Sequence, residues 1–355
     1  MFNQIYRYLS SILILMMVLG LFACSQTEET PESPTNTSPI YTTHLSAAMD
    51  AKDYDEKYEE GINKAIEYFG SYTGVYVYIY DTTGLDATIQ DFCEKSDAYT
   101  TNDYSSCYAY ESSSGHIKSD LETAQSNSFM TWLSSNNGFY AIFFALGDLL
   151  GEGDHDDSAT YLAHLAVHEY AHVFQGSKLD VDDRPYNQIF NEGYAQMIGQ
   201  YIGDLNEYVT FETIMLDAFR QFYEEHKKDR SQFLAAISNN FETITSDQRM
   251  PFMYAGASWC MAYLIHRNNA SCTSNCTQGL NDLKSYYEQA QSTNHEAIFK
   301  QLFNYESYSE FYTEVIDFLN ANDEDELNTA VAAMKTWIDT LESRLPQDTA
   351  TLLEN

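Results

Sequence analysis

Residues 161–176 of the chain read YLAHLAVHEYAHVFQG and carry three histidines at four-residue intervals, His164, His168 and His172. Apolar residues fill most of the other positions, which is typical of a helix that is buried over much of its surface. Side chains four residues apart on an α-helix lie one turn apart on the same face. The stretch therefore predicts a helix that presents a row of imidazoles to one side.

Within this stretch His168, Glu169 and His172 form the pattern His-Glu-x-x-His. On a helix this pattern brings the two imidazoles close enough to bind one zinc ion. It turns the glutamate about 100° around the axis, beside the ion rather than onto it. A carboxylate in that position accepts a proton from water held by the metal. The pattern predicts His168 and His172 as zinc ligands and Glu169 as general base and acid.

Zinc hydrolases of this kind need a third protein ligand and keep a fourth position for water. The candidate is Glu192, in the stretch NEGYA at residues 191–195 that opens a second apolar helix. Together the two segments resemble the gluzincin metallopeptidases, the superfamily of thermolysin and the neutral zinc aminopeptidases. The resemblance implies a zincin-like fold, one Zn²⁺ ion bound by His168, His172 and Glu192, and Glu169 as the catalytic base.

A third segment, MPFMYAGASWCMAYL at residues 250–264, is similar to the Tyr-x-x-Gly-Ala segment of the aminopeptidase-like branch of that superfamily. There the tyrosine donates a hydrogen bond to the oxyanion of the tetrahedral intermediate, and Tyr254 is at the matching position. Ala255 and Gly256 depart from the family's charged residue followed by glycine. A tyrosine of the protein core is the other interpretation of Tyr254.

Two related patterns are not found. Gln175 and Lys178 stand where metzincins need glycine and a third histidine or aspartate, which excludes that family. The Gly-x-Met-x-Asn signature of the aminopeptidases does not occur upstream of the histidine helix, so aminopeptidase activity is not supported.

Three further residues are predicted to support the site without binding the metal. His164 lies about 12 Å along the helix axis from His172, too far to share one tetrahedral ion with both other histidines. We expect it to pack against or support the site. Asn191 and Gln196 are candidates for the hydrogen bonds that fix the imidazole rings.

The N-terminus predicts export. Residues 1–23 contain one cation, Arg7, followed by an apolar run. The run is shorter than a typical transmembrane helix and has the length of the apolar region of a signal peptide. The ending Leu21-Phe22-Ala23-Cys24 resembles the lipobox of bacterial lipoproteins, which implies a lipidated Cys24. Ser25 then suggests the outer membrane if the host is Gram-negative. Residues 24–40 are rich in Pro, Ser, Thr and Glu and are expected to be a disordered tether.

The chain has a formal net charge of −35. This balance argues against binding to nucleic acid or to anionic lipid head groups. It fits a soluble, salt-adapted extracytoplasmic domain. The acidic loops 151–158 and 179–185 have the carboxylates to bind Ca²⁺, but neither has EF-hand spacing, and solvated loop charge is the better interpretation.

Cysteine usage agrees with export. Cys93 and Cys107 flank one polar loop, and Cys272 and Cys276 lie in another, so two local disulfides are the economical interpretation in an oxidising compartment. Cys260 lies in an apolar helical stretch and is expected to be a buried thiol.

The pattern of the whole chain predicts an α+β fold. Strands are indicated at 74–83 and 138–150, with a polar, loop-rich stretch over 90–125. We expect a small α/β portion over about 41–160 and a mainly helical portion over about 161–355, with the histidine helix at their junction. Helices are indicated near 160–175, 187–203, 207–228, 231–239, 253–267, 278–291, 307–320 and 324–343.

The sequence thus predicts a lipid-anchored zinc metallopeptidase that acts on peptides or proteins. One alternative is a catalytically inactive, zincin-fold binding lipoprotein at the cell surface. Another is a structural lipoprotein in which the His-Glu-x-x-His pattern is accidental.

Overall fold

The structure is a computed structural model, and it describes residues 38–50, 53–97, 129–134, 139–146, 158–178, 188–205, 210–228, 233, 235–237, 244–245, 248–291, 293–321 and 326–353. The expected signal peptide over 1–23 and most of the expected tether over 24–40 lie outside these residues. Among the helices described, none combines the length and apolar character needed to cross a lipid bilayer.

A four-stranded mixed sheet forms the N-terminal part of the molecule, in the order β1-β2-β4-β3. Strands β1, β2 and β4 run parallel, and β3 pairs antiparallel with β4. The predicted strands at 74–83 and 138–150 are β2 and β4, whereas β1 and β3 were not predicted. The bounds are β1 Ile40–His44, β2 Val75–Asp81, β3 Phe129–Ser134 and β4 Phe139–Leu146.

Strand β2 is buried on both faces because it alternates tyrosine with aliphatic residues. On one face Tyr78 stacks on Phe143 of β4, with ring centroids 5.1 Å apart, beneath a helix over Leu85–Asp97. On the other face Val77 joins the main core, where Tyr58 stacks on Phe144 at 4.0 Å. The helix continues to Asp97, so the predicted loop-rich stretch over 90–125 is wrong in its first residues.

Helices α1 (Ala47–Asp50), α2 (Tyr54–Phe69) and α3 (Leu85–Asp97) belong to this sheet part. The rest of the described chain is mainly helical. Two short π-helical segments, π1 (Ile189–Gly193) and π2 (Arg249–Gly256), run directly into α5 and α7. The other α-helices are α4 Ser158–Lys178, α5 Tyr194–Leu205, α6 Phe211–Lys228, α7 Ala257–Asn268, α8 Gln278–Gln289, α9 His295–Phe303, α10 Tyr308–Ala321, α11 Leu327–Glu342 and α12 Thr349–Leu353.

Helix α4, which carries the histidines, contacts both parts of the molecule. It packs against α2 and the sheet on one side and against α5 on the other. Phe69 at the end of α2 stacks on Phe174, and the Tyr170 hydroxyl donates a hydrogen bond to the Gly70 carbonyl at 2.9 Å. These contacts hold α4 inside one continuous buried cluster that extends from α2 to α12. The coarse prediction of an α+β fold, with a sheet followed by helices, is therefore confirmed.

Two of the predictions about cysteines are confirmed. Cys272 and Cys276 form the predicted disulfide, and Cys260 is a buried free thiol on α7. Cys93 is disulfide-bonded, but Cys107 lies outside the described residues.

Candidate metal centre

His168 and His172 lie on one face of α4, one turn apart, as the four-residue spacing requires. Their rings meet edge to face, with centroids 4.9 Å apart. The two Nε2 atoms are 3.2 Å from each other. Each ring therefore directs its Nε2 atom toward the same point.

Glu192 reaches that point from π1, in a different part of the chain. Its Oε2 atom lies 3.6 Å from Nε2 of His168 and 3.4 Å from Nε2 of His172. These three side chains are the group of potential metal ligands that converges among the described residues. The structure thus brings together the three residues for which the sequence predicted zinc binding.

The spacing of the three donor atoms fits a tetrahedral zinc ion. Two ligand atoms, each about 2.0–2.1 Å from a tetrahedral zinc, lie about 3.3–3.4 Å from one another. The three observed separations are 3.2, 3.4 and 3.6 Å. Two imidazoles and one carboxylate are also a donor set that zinc prefers. The residues present therefore fit the metal that the sequence implies.

Gly193 explains how Glu192 reaches the histidines. A Cβ atom at this position would lie 2.6 Å from the carbonyl oxygen of Ala257 and 2.8 Å from its Cβ. Only glycine lets π1 come this close to the start of α7. The same approach brings π1, which carries Glu192, against π2, which carries Tyr254. Single-turn π-helices are rare and occur often at functional sites.

Glu169 is 5% exposed and follows His168 directly in α4. Its negative charge is close enough to contribute to the raised pKa of His172. The carboxylate therefore lies beside the cluster without belonging to the converging triad.

Tyr254 also lies close to the histidine pair. It is partly buried on π2, and its ring centroid lies 6.2 Å from that of His168. The structure thus places the predicted tyrosine beside His168, on the segment that packs against π1.

The charges of the triad shift one another's pKa values. Burial alone lowers the pKa of His172, but the charge of Glu192 and its hydrogen bond outweigh burial and raise that pKa to about 9. Burial acts to raise the pKa of Glu192, but the charge of His172 and hydrogen bonds from both histidines hold it well below its usual range. Without a metal, the cluster is therefore an ion pair between a carboxylate and an imidazolium.

The hydrogen bond that orients His172 comes from a residue that was not predicted for this role. Gln175, 2% exposed, has its Oε1 atom 2.8 Å from Nδ1 of His172. Its Nε2 donates to the carbonyl oxygen of Asn191 at 2.9 Å. The sequence suggested Asn191 or Gln196 instead, and Asn191 takes part through its backbone. The signal that could have identified Gln175 is its position three residues after His172, on the same helical face.

His164 packs one turn further up α4, as predicted. A Cβ atom on Gly199 of α5 would lie 2.9 Å from Cδ2 and 3.0 Å from the carbonyl oxygen of His164. Burial, together with the charge of His168, lowers the pKa of His164 to about 3. This imidazole is therefore neutral at physiological pH and fills the contact between α4 and α5.

Comparison of the chain with protein-family models, with curated proteins and with solved structures finds no match. The acidic residues 151–157 and 179–185, considered for Ca²⁺, lie outside the described residues.

Proposed function

We propose that the chain is a zinc-dependent metallopeptidase of the gluzincin type with a zincin-like fold. The observation that carries the proposal is the convergence of His168, His172 and Glu192 at the spacing of a tetrahedral site. Glu169 and Tyr254, which such an enzyme needs for proton transfer and oxyanion stabilisation, lie beside the same histidines.

The exposure of the three donors favours a catalytic site over a structural one. Structural zinc sites are closed by four protein ligands, whereas catalytic sites keep one position for water. Three converging donors are found among the described residues. The side chains of His172 and Glu192 are 16% and 18% exposed, so solvent reaches this side of the cluster. His168 is more deeply buried, at 5% exposed.

A zinc ion held by these residues supplies Lewis acidity and lowers the pKa of bound water toward about 7. The carboxylate of Glu169 accepts the proton of the attacking water and transfers it to the nitrogen of the departing amine. Because Glu169 is buried, its charge is screened less by solvent than that of a surface carboxylate. The carboxylate of Glu192 neutralises part of the charge of the metal.

Tyr254 is proposed to donate its phenolic proton in a hydrogen bond to the carbonyl oxygen of the scissile peptide as negative charge develops there. Its position on π2 supports this role, because π2 packs on π1 and so fixes Tyr254 relative to Glu192. The proposed substrates are accordingly peptides or proteins.

The proposed location is outside the cytoplasm, with the chain anchored through a lipidated Cys24. Fractionation of cells that express the wild-type chain or Cys24→Ala tests this part. With a labelled fatty acid in the medium, we expect the wild type in the membrane fraction with incorporated label, and Cys24→Ala without label. Equal label in the two proteins would contradict lipidation at Cys24.

Metal analysis and peptide digestion of the purified protein test the enzymatic proposal. We expect one zinc per chain, cleavage of a peptide library, loss of cleavage with a chelator, and recovery when zinc is restored. Glu192→Gln should lose the zinc. Glu306→Gln, at a side chain that is 77% exposed, is the matched control and should retain it.

The outcomes separate the other interpretations. Zinc without chelator-sensitive cleavage would favour the inactive binding lipoprotein. Absence of stoichiometric zinc would mean that the His-Glu-x-x-His pattern is accidental.

A further inference from the structure

Gln175 links the two elements that supply the metal donors. It lies in the last turns of α4, is 2% exposed, and makes one hydrogen bond toward each element. Its Oε1 is 2.8 Å from Nδ1 of His172, and its Nε2 donates to the Asn191 carbonyl at 2.9 Å. Asn191 directly precedes Glu192 in π1. One buried side chain therefore bridges the histidine helix and the glutamate turn.

The orientation of the Gln175 amide follows from its partners. A carboxamide has a donor side and an acceptor side, and a backbone carbonyl only accepts. The amide nitrogen must therefore face Asn191, which leaves the amide oxygen facing His172. Because an oxygen of this kind only accepts, Nδ1 of His172 carries the proton. The Nε2 atom of His172 is then the nitrogen that faces His168 and Glu192.

Tyr287 of α8 stabilises the same turn. Its hydroxyl donates a hydrogen bond to the carbonyl of Phe190, the residue before Asn191 in π1. Two successive carbonyls of π1 are thus bonded to buried side chains, which holds this wide turn in place.

We propose that Gln175 is a positioning residue that holds the Nδ1–H of His172, so that Nε2 faces Glu192, and that fixes the spacing between His172 and Glu192 before any metal binds. This inference rests on the proposed metal site, because the geometry that Gln175 sets matters only if the three donors share an ion. Residues that orient a ligating imidazole contribute about 10–100-fold to metal affinity.

Two variants of Gln175 separate its two bonds. Gln175→Met removes both at nearly constant side-chain volume. Gln175→Glu keeps an acceptor for His172 and loses the donor to Asn191. The matched control is Gln200→Met, because Gln200 is fully buried on α5 and its amide has no hydrogen-bond partner among the described residues.

The first measurement is ¹⁵N NMR of the histidines in metal-free protein. We expect a slowly exchanging Nδ1 proton on His172 in the wild type, in Gln200→Met and in Gln175→Glu, and its loss in Gln175→Met. Absence of this proton in the wild type would overturn the proposal whatever the variants do. This measurement needs neither zinc nor activity, so it stands even if the proposed function fails.

The second measurement is zinc affinity by competition with a chelator, with the melting temperature of the metal-free protein recorded alongside. We expect Gln175→Met to bind zinc about 10–100-fold more weakly, Gln175→Glu to show a smaller loss, and Gln200→Met to match the wild type. A Gln175→Met protein that has a lower melting temperature but unchanged zinc affinity would assign a purely structural role to Gln175. If the wild type itself binds no zinc, the proposed function fails instead.

Discussion

Gly193 and Ala257 are in contact at a distance that leaves no room for a side chain at position 193. A Cβ there would lie 2.6 Å from the Ala257 carbonyl oxygen. This contact joins the turn that carries Glu192 to the first residue after the turn that carries Tyr254.

Gly193→Ala should therefore affect both stability and metal binding. Overpacking of a well-packed contact costs about 1–3 kcal/mol, and backbone movement at π1 displaces Glu192 from the histidines. Urea unfolding and zinc titration measure the two effects. Gly199→Ala is the control, because its Cβ would meet His164 rather than π1. We expect that variant to lose stability but keep zinc affinity, and equal loss of zinc in both variants would contradict the explanation.

Glu169→Gln should bind zinc like the wild type and lose turnover by about 10²–10⁴-fold, because the amide cannot accept the proton of water. Steady-state peptide cleavage and zinc content measure the two properties. Glu306→Gln, the exposed control, should retain activity. Wild-type turnover in Glu169→Gln would remove Glu169 from the mechanism.

Tyr254→Phe should keep the fold and the zinc and lower kcat by about 10²–10³-fold with little change in KM. The lost hydrogen bond is proposed to form mainly in the transition state. Tyr263→Phe is the matched control, because the Tyr263 hydroxyl bonds to Glu314 at 2.8 Å instead of facing the cluster. If both variants were fully active, Tyr254 would be a core tyrosine, the other interpretation of its sequence position.

Zinc binding should release a proton at pH 7. In the metal-free protein the pKa of His172 is raised to about 9, chiefly by Glu192 acting against burial, so the imidazole is protonated at pH 7. Zinc requires the neutral ring. Affinity should then rise about tenfold per pH unit up to about pH 9 and level off above it.

Calorimetry in buffers of different ionisation enthalpy measures this proton release. Glu192 contributes no proton at pH 7, because its pKa is held below its usual range. Zinc affinity that stays constant between pH 7 and pH 9 would show that His172 is already neutral at pH 7.

The convergence of the two histidines and the glutamate could be expected from local pattern. The four-residue spacing fixes His168 and His172 on one face whatever surrounds them. Glu192 was identified because residues 191–195 resemble the gluzincin segment that carries the third ligand, and the structure supplies a physical reason for Gly193 in its contact with Ala257. Tyr254 was harder to assign, because a chain with 29 tyrosines offers many similar positions.

Gln175 was considered only as the residue that excludes the metzincin pattern. Its spacing from His172 is visible in the sequence, but its second bond goes to the Asn191 carbonyl. Every residue has a backbone carbonyl, so the residue type at position 191 does not indicate that its carbonyl accepts this hydrogen bond. This half of the network therefore depends on tertiary structure.

The elements that were not predicted are those with weak or non-local signals. Strand β1 is only partly buried and is defined by its pairing with β2, for example Thr42 with Tyr78. Helix α2 buries Tyr58, Ile62 and Ala65 at helical spacing. Its periodicity becomes clear only when tyrosine is counted as a core residue.

The two π-helical turns make the chemistry sensitive to chain length. A π turn holds about one residue more than an α turn, so removing a single residue from π1 would let regular α-helix continue into α5. The following helix could keep its packing while residue 192 rotated about 100° away from the imidazoles. A deletion of one codon, with no change to any of the three donor residues, would then separate the donors and abolish the proposed activity while the helices kept their packing.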